Sequence, residues 1–161
     1  MASKPENFPA DFETALNYLM EVKAPTIDDF KLMAYVETGG EAFYAGLANG
    51  APNEKIKNLL NQNGREERAH AHRLKRVIEK LTGESFTVPS PQDNPYYVEP
   101  EGIPVDEDFL NYLIGAENGG DDLYEVWAQT VDDEQCASWL RQNGKEEMRH
   151  GERAKEAIGY L

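Results

Sequence analysis

Apolar side chains recur at alternating spacings of three and four along four stretches of the chain, the pattern of helices that bury one face. The first stretch gives Phe30, Met33, Glu37, Gly40, Tyr44 and Leu47. The second gives Ile56, Leu60, Asn63, Glu67, His70, Leu74, Val77 and Leu81. The third gives Leu110, Leu113, Glu117, Gly120, Tyr124 and Trp127, and the fourth Cys136, Leu140, Asn143, Glu147, His150, Ala154, Ala157 and Leu161. Thr26, with Asp29 three residues on, reads as the N-cap of a helix running to about Asn49. Ala51-Pro52-Asn53 reads as a turn, and a second helix then runs to about Thr82, where Gly83 can end it. Asp106 opens the third helix, and the next turn falls near Val131-Asp132-Asp133. Between them, residues 83–105 contain Pro89, Pro91, Pro95, Pro100 and Pro104, which rules out a helix and leaves a long crossover. Residues 10–23 place Phe12, Leu16, Leu19 and Met20 on one face and predict a short additional helix. The pattern therefore predicts an all-α four-helix bundle of two antiparallel hairpins joined by one crossover. It reads as a single domain over 1–161: an N-terminal segment 1–25, hairpin 26–82, crossover 83–105 and hairpin 106–161.

The two hairpins are copies of one unit. At an offset of 80 residues, positions 30–81 align with 110–161 without a gap. Val36-Glu37-Thr38-Gly39-Gly40-Glu41 lies over Ala116-Glu117-Asn118-Gly119-Gly120-Asp121. Gln62-Asn63-Gly64-Arg65-Glu66-Glu67-Arg68-Ala69-His70 lies over Gln142-Asn143-Gly144-Lys145-Glu146-Glu147-Met148-Arg149-His150. A bland amphipathic repeat keeps its apolar positions; here the shared residues are polar, which favours a shared site.

Glu37, Glu67, His70, Glu117, Glu147 and His150 all stand in the apolar stripe, where ionisable groups are almost never left unpaired. In an antiparallel hairpin, level residues are equidistant from the turn. The mean of 37 and 67 is 52, inside the first turn, and that of 117 and 147 is 132, inside the second. Packing the hairpins together then gathers all six side chains into one buried cluster. Four carboxylates there repel one another and lose hydration, at a cost of several kcal/mol each. Two divalent cations answer that charge, and one imidazole per metal with shared carboxylates suits iron or manganese, with zinc as another substitute. Protonation of some carboxylates is the alternative for a metal-free chain. Glu66 and Glu146 fall about 100° off the stripe and read as solvated.

Composition narrows the classes. Of 161 residues, 40% are hydrophobic, enough for a packed core, so a disordered chain is excluded. A net charge of −14 leaves no basic surface for nucleic acid and suits the attraction of cations. No apolar run is long enough to span a membrane. Met-Ala-Ser-Lys-Pro-Glu leads into acidic sequence, so no secretory leader is expected. The single cysteine, Cys136, can form neither an internal disulfide nor a cysteine-based metal centre, which fits a reducing cytoplasm.

One Glu, then Glu-x-x-His, then a crossover, then Glu and Glu-x-x-His again, resembles the di-iron carboxylate proteins of the ferritin-like superfamily. The resemblance covers roughly residues 26–161. Within the superfamily the chain looks most like a rubrerythrin-type domain without the rubredoxin module, whose iron one cysteine cannot hold. The resemblance implies two iron ions held by Glu37, Glu67, His70, Glu117, Glu147 and His150. It also implies reaction with O2 or H2O2 and electrons from an external reductant. One position departs from the pattern. Rubrerythrins carry a further glutamate three residues after the third-helix ligand, and here Gly120 stands there. The ligand exchange and peroxidase preference of rubrerythrins are therefore not carried over, and the six-ligand set is closer to that of bacterioferritins. With 11 residues after His150, a fifth helix of the kind that helps build 24-subunit storage cages is not expected.

Around the cluster, Tyr44 and Tyr124 lie seven residues beyond Glu37 and Glu117, on the same face. Each is placed to donate a hydrogen bond to a carboxylate of the other hairpin, or to serve as an ordinary core tyrosine. Asn63 and Asn143 can orient a ligand or satisfy a helix carbonyl, the second being favoured. Gly39-Gly40 and Gly119-Gly120, with Gly64 and Gly144, suggest close helix approach or room for a small oxidant. Glu41 and Asp121 read as solvated charge rather than an iron-entry path, His72 as surface and Cys136 as a small core residue. The favoured function is a di-iron oxidoreductase of ferroxidase or peroxidase type. A non-enzymatic iron-binding or storage protein, an organic-substrate oxygenase and a metal-free helical interaction module are the alternatives. Pairing into a homodimer is a further expectation, with no interface visible in the sequence.

Overall fold

The computed structural model describes residues 6–99 and 101–161. Residues 1–5, on which the expectation of no leader rests, and Pro100 of the crossover lie outside the described residues. Five α-helices and a 3-10 turn at Pro91–Asp93 make up the described secondary structure. The helices are α1 (Phe12–Glu21), α2 (Ile27–Gly50), α3 (Glu54–Thr82), α4 (Glu107–Thr130) and α5 (Glu134–Ile158).

Local chemistry sets their ends. Thr26 and Asp29 form a reciprocal capping box, the Asp29 carboxylate accepting from the Thr26 N–H at 2.7 Å. Asn53, Asp106 and Asp133 each accept from the first free N–H groups of α3, α4 and α5. Gly83 closes α3 with φ 74°, a left-handed conformation that suits glycine. Two seam expectations differ: Leu81, in the last turn of α3, is 41% exposed, and Leu161 lies beyond the end of α5.

α2 packs on α3 and α4 on α5, and the hairpins meet where α3 packs against α5. The crossover travels the length of the bundle. Its start packs Phe86 and Val88 at the end where α3 finishes, and its finish packs Ile103 and Val105 beside the turn between α2 and α3. α4 therefore starts near that turn and runs parallel to α3, while α5 runs antiparallel to α3. Along the way Asn94 donates to the Tyr35 carbonyl at 2.6 Å and to the Thr38 hydroxyl at 2.8 Å. Ile103 N–H donates to the Gly46 carbonyl at 3.2 Å. α1 lies across α2 and α4, and the Trp127 indole donates to the Val22 carbonyl just after it.

The core is in two apolar layers with a polar layer between. One holds Phe30, Met33, Leu74, Val77, Trp127 and Leu140; the other holds Leu47, Ile56, Leu60, Leu110 and Leu113. The six ionisable seam residues occupy the gap. Among the described residues no helix is long and apolar enough to cross a membrane.

The crossover comes close enough to α2 to make one glycine obligatory. A Cβ on Gly50 would stand 1.8 Å from the Ile103 carbonyl oxygen, a backbone atom with nowhere to go. Gly50→Ala should destabilise the chain by about 2 kcal/mol or more. Gly115→Ala, where nothing lies within 4 Å, should stabilise it by up to about 1 kcal/mol. Denaturant midpoints check both, and equal midpoints for the two variants contradict this packing.

Candidate metal centre

Two stacked imidazoles form the middle of the polar layer. The His70 and His150 rings lie 5.3 Å apart with 16° between their planes, and neither is exposed. α3 and α5 bring them together because, antiparallel, they place His70 level with Glu146 and Glu66 level with His150. Around them stand Glu37, Glu67, Glu117 and Glu147, each at most 8% exposed.

All six seam residues read as ligands from the sequence are thus brought into one cluster. His70 Nδ1 lies 3.2 Å from Glu147, 3.4 Å from Glu37 and 3.8 Å from Glu67. His150 Nδ1 lies 3.3 Å from Glu67, 3.3 Å from Glu147 and 3.5 Å from Glu117. Neither Nδ1 is aligned for a hydrogen bond with any of them, and these are the buried side-chain polar atoms left without a partner among the described residues. An orphaned buried nitrogen facing three carboxylates is what a cation site leaves when the cation is not counted. Donors each about 2.1 Å from one cation stand roughly 3.0–3.4 Å apart for angles between octahedral and tetrahedral. Four of the six separations fall in that window.

The donors divide into two overlapping sets: Glu37, Glu67, His70 and Glu147, and Glu67, Glu117, Glu147 and His150. Glu67 and Glu147 belong to both. Each set has one terminal carboxylate and one imidazole of its own, so the 80-residue repeat appears in space as two matching halves. The donor set fits a pair of divalent cations.

Without cations, the cluster must find its charge balance in protons. Burial, then the charges of Glu147 and Glu37, push the Glu67 carboxyl well above its ordinary range. Burial pushes Glu117 up to about 8, against the pull of the His150 imidazole beside it. For Glu147, burial is outweighed by the His70 charge and the closeness of both imidazoles, and its carboxyl is held low. Burial works against charging either imidazole, yet the surrounding carboxylates win and raise both.

Tyr44 donates its hydroxyl to Glu117, and Tyr124 to Glu37, each across to the other hairpin. Burial and the neighbouring carboxylate charges raise both phenols, so they stay protonated and donate.

Behind the imidazoles the structure corrects the sequence reading of Glu66 and Glu146 as solvated. Glu146 is 6% exposed, and its Oε2 stands 3.1 Å from His70 Nε2. Arg73 grips it through two bonds, at 2.7 and 2.9 Å. Glu66 stands 3.1 Å from His150 Nε2 and is gripped by Arg153 at the same two distances. The 100° offset that turns these glutamates away from their own hairpin turns them into the interface between α3 and α5. Arg73 and Arg153 lie outside the three-four seam, although they too repeat at an offset of 80. Each arginine also donates to an asparagine, Asn143 or Asn63, at 2.9 Å. Those asparagines donate onward to the His70 and His150 carbonyls at 3.3 Å. Each histidine is therefore held at its ring and at its backbone by one closed loop of side chains. Such carboxylate partners fix the tautomer and aim the other nitrogen at a metal. Burial opposes charge on Glu66 and Glu146, but the histidine bonds and the arginine fork hold both at about 2.

The remaining candidates are peripheral. Glu41 pairs with Arg68 at 3.1 Å, Asp121 is half-buried against Gly144, His72 is exposed and Cys136 is fully buried.

The family model for rubrerythrin matches residues 33–158. A solved structure of a hypothetical protein from Pyrococcus furiosus is similar, with a TM-score of 0.64 over 94% of this chain and 95% of that one. At 18% identity it shows the fold alone. No protein of curated function matches the chain.

Two expectations follow from the cluster. Arg73→Met and Arg153→Met should each weaken divalent-cation binding about 10–100-fold, measured by anaerobic titration; unchanged affinity contradicts the orienting loop. The raised groups hold protons near neutral pH, and an imidazole binds metal only when its ligating nitrogen is bare. Loading should therefore release about two or more protons per chain and weaken as pH falls. Calorimetry in buffers of different ionisation enthalpy reads that count, and binding without proton release contradicts it.

Proposed function

Because the chain belongs to the rubrerythrin family, we propose that it is a di-iron oxidoreductase, taking O2 or H2O2 as oxidant and electrons from an external donor. The observation that carries this reading is the pair of overlapping buried donor sets sharing Glu67 and Glu147. Glu37 and His70 would complete one iron position, and Glu117 and His150 the other. When bound, two ferrous ions supply two electrons together, enough to take H2O2 with two protons to two waters.

The chain's own residues prepare that event. Glu67 and Glu147 belong to both donor sets and would hold the two ions together. Tyr44 and Tyr124 keep their hydroxyl protons and donate hydrogen bonds to the terminal carboxylates, steadying the orientation of Glu117 and Glu37. The arginine–glutamate loops keep Nε2 of each histidine occupied, so Nδ1 is the nitrogen left to bind. The apolar layers on either side keep bulk water from the cluster and strengthen the electrostatics inside it. A net charge of −14 draws cations toward the chain.

Titrating the metal-free protein with Fe(II) under anaerobic conditions, then mixing rapidly with O2 or H2O2, tests the reading. It expects saturation at about two ions per chain, as the two donor sets require, and repeated oxidation when a reductant is supplied. Glu67→Ala and Glu147→Ala should each abolish paired binding, since both sets lose a member. Saturable loading that oxidises once and never cycles identifies an iron-binding or storage protein instead. No saturable binding overturns both.

A further inference from the structure

We propose that Gly40 and Gly120 are positioning residues that seat the two carboxylates shared between the cation positions, an inference that rests on the two-cation reading above. The two helices that bring a single candidate ligand each, α2 and α4, carry a Gly-Gly pair just past that glutamate. Glycine inside a helix is unfavourable relative to alanine, and twice in succession on both helices calls for a reason.

The two members of each pair face different ways. A Cβ on Gly39 would stand 3.0 Å from the Phe12 ring, and one on Gly119 3.1 Å from the Met20 methyl, so these two serve the packing of α1. Gly40 and Gly120 face inward. A Cβ on Gly40 would stand 3.2 Å from both the carboxyl carbon and Oε2 of Glu67. One on Gly120 would stand 3.2 Å from Cγ and 3.3 Å from the carboxyl carbon of Glu147. These separations are tighter than ordinary contact between non-bonded carbon atoms, which is about 3.5–4.0 Å.

Each missing methyl is thus bordered by the facing helix's shared carboxylate. The sequence left two uses open for these glycines, close approach or room for an oxidant. In the structure the space beside Gly40 and Gly120 is bounded by Glu67 and Glu147 themselves. A methyl at 40 presses on the free end of Glu67, which can swing. At 120 it presses on the stem of Glu147, which cannot move without carrying its carboxylate off both imidazoles. The terminal ligands Glu37 and Glu117 keep their places in either case, so one cation would still find a carboxylate and an imidazole. The loss should fall on the pairing of cations rather than on binding as such.

Anaerobic Co(II) titration followed by its absorption bands, with the melting temperature of the metal-free protein measured alongside, tests this. Wild type should bind a pair of Co(II) ions. Gly120→Ala should weaken the second ion at least tenfold relative to the first, Gly40→Ala by a smaller factor, with neither melting earlier than wild type. Gly39→Ala and Gly119→Ala should keep the pair. If both inward variants bind the pair with wild-type affinity, the inference is overturned and the two-cation reading stands. If they lose both ions together with a fall in melting temperature, it is overturned as well, the glycines then being merely structural. Failure of wild type to bind a pair overturns the inference and the reading together.

Discussion

Four carboxylates and two imidazoles share a buried layer of the bundle, and each has lost most of the hydration that would stabilise its charge. Protons can relieve that repulsion in part, as the raised Glu67, Glu117, His70 and His150 indicate. They leave the Nδ1 atoms of both histidines without a hydrogen-bonding partner. Cations would satisfy every donor at once. The apolar layers, the crossed tyrosines and the arginine loops all serve to keep this strained group in one place.

Duplication is how a short chain holds it there. The tyrosine and arginine contacts run between the two copies, and each has its mate in the other direction: Tyr44 to Glu117 and Tyr124 to Glu37, Arg73 to Glu146 and Arg153 to Glu66. Neither hairpin completes a donor set alone, since each set draws on both Glu67 and Glu147. The donor sets are therefore complete only where the two hairpins pack against each other. The symmetry is not complete. Arg68 pairs with Glu41 in the first copy, whereas Met148 occupies the equivalent place in the second, and Glu66 is more exposed than Glu146. The two positions therefore differ in their outer surroundings while sharing their inner donors.

Much of this was legible in the sequence because two periodicities coincide. The three-four spacing marks the buried stripe, and the 80-residue repeat shows that Glu37, Glu67 and His70 recur within it as Glu117, Glu147 and His150. The turns then set the height of one helix against its hairpin mate. What escaped lies on the other face. No turn joins α3 to α5, so their register is set only by packing, and Glu66 and Glu146 look solvated until that packing is known. The signal that could have exposed them was Arg73 repeating as Arg153, a cation kept in register three residues beyond each histidine. The glycines were visible but not their directions, since Gly39 and Gly40 differ in use only once α1 is in place.

The central claim is that this buried layer is completed by a pair of cations. Crystals of the protein grown with excess ferrous iron under anaerobic conditions, with anomalous diffraction recorded at the iron edge, test it most directly. The account predicts two anomalous peaks, one beside His70 Nδ1 and one beside His150 Nδ1, with Glu67 and Glu147 reaching both. A map with no peak in this layer, and Nδ1 of both histidines hydrogen-bonded to protein instead, would contradict it.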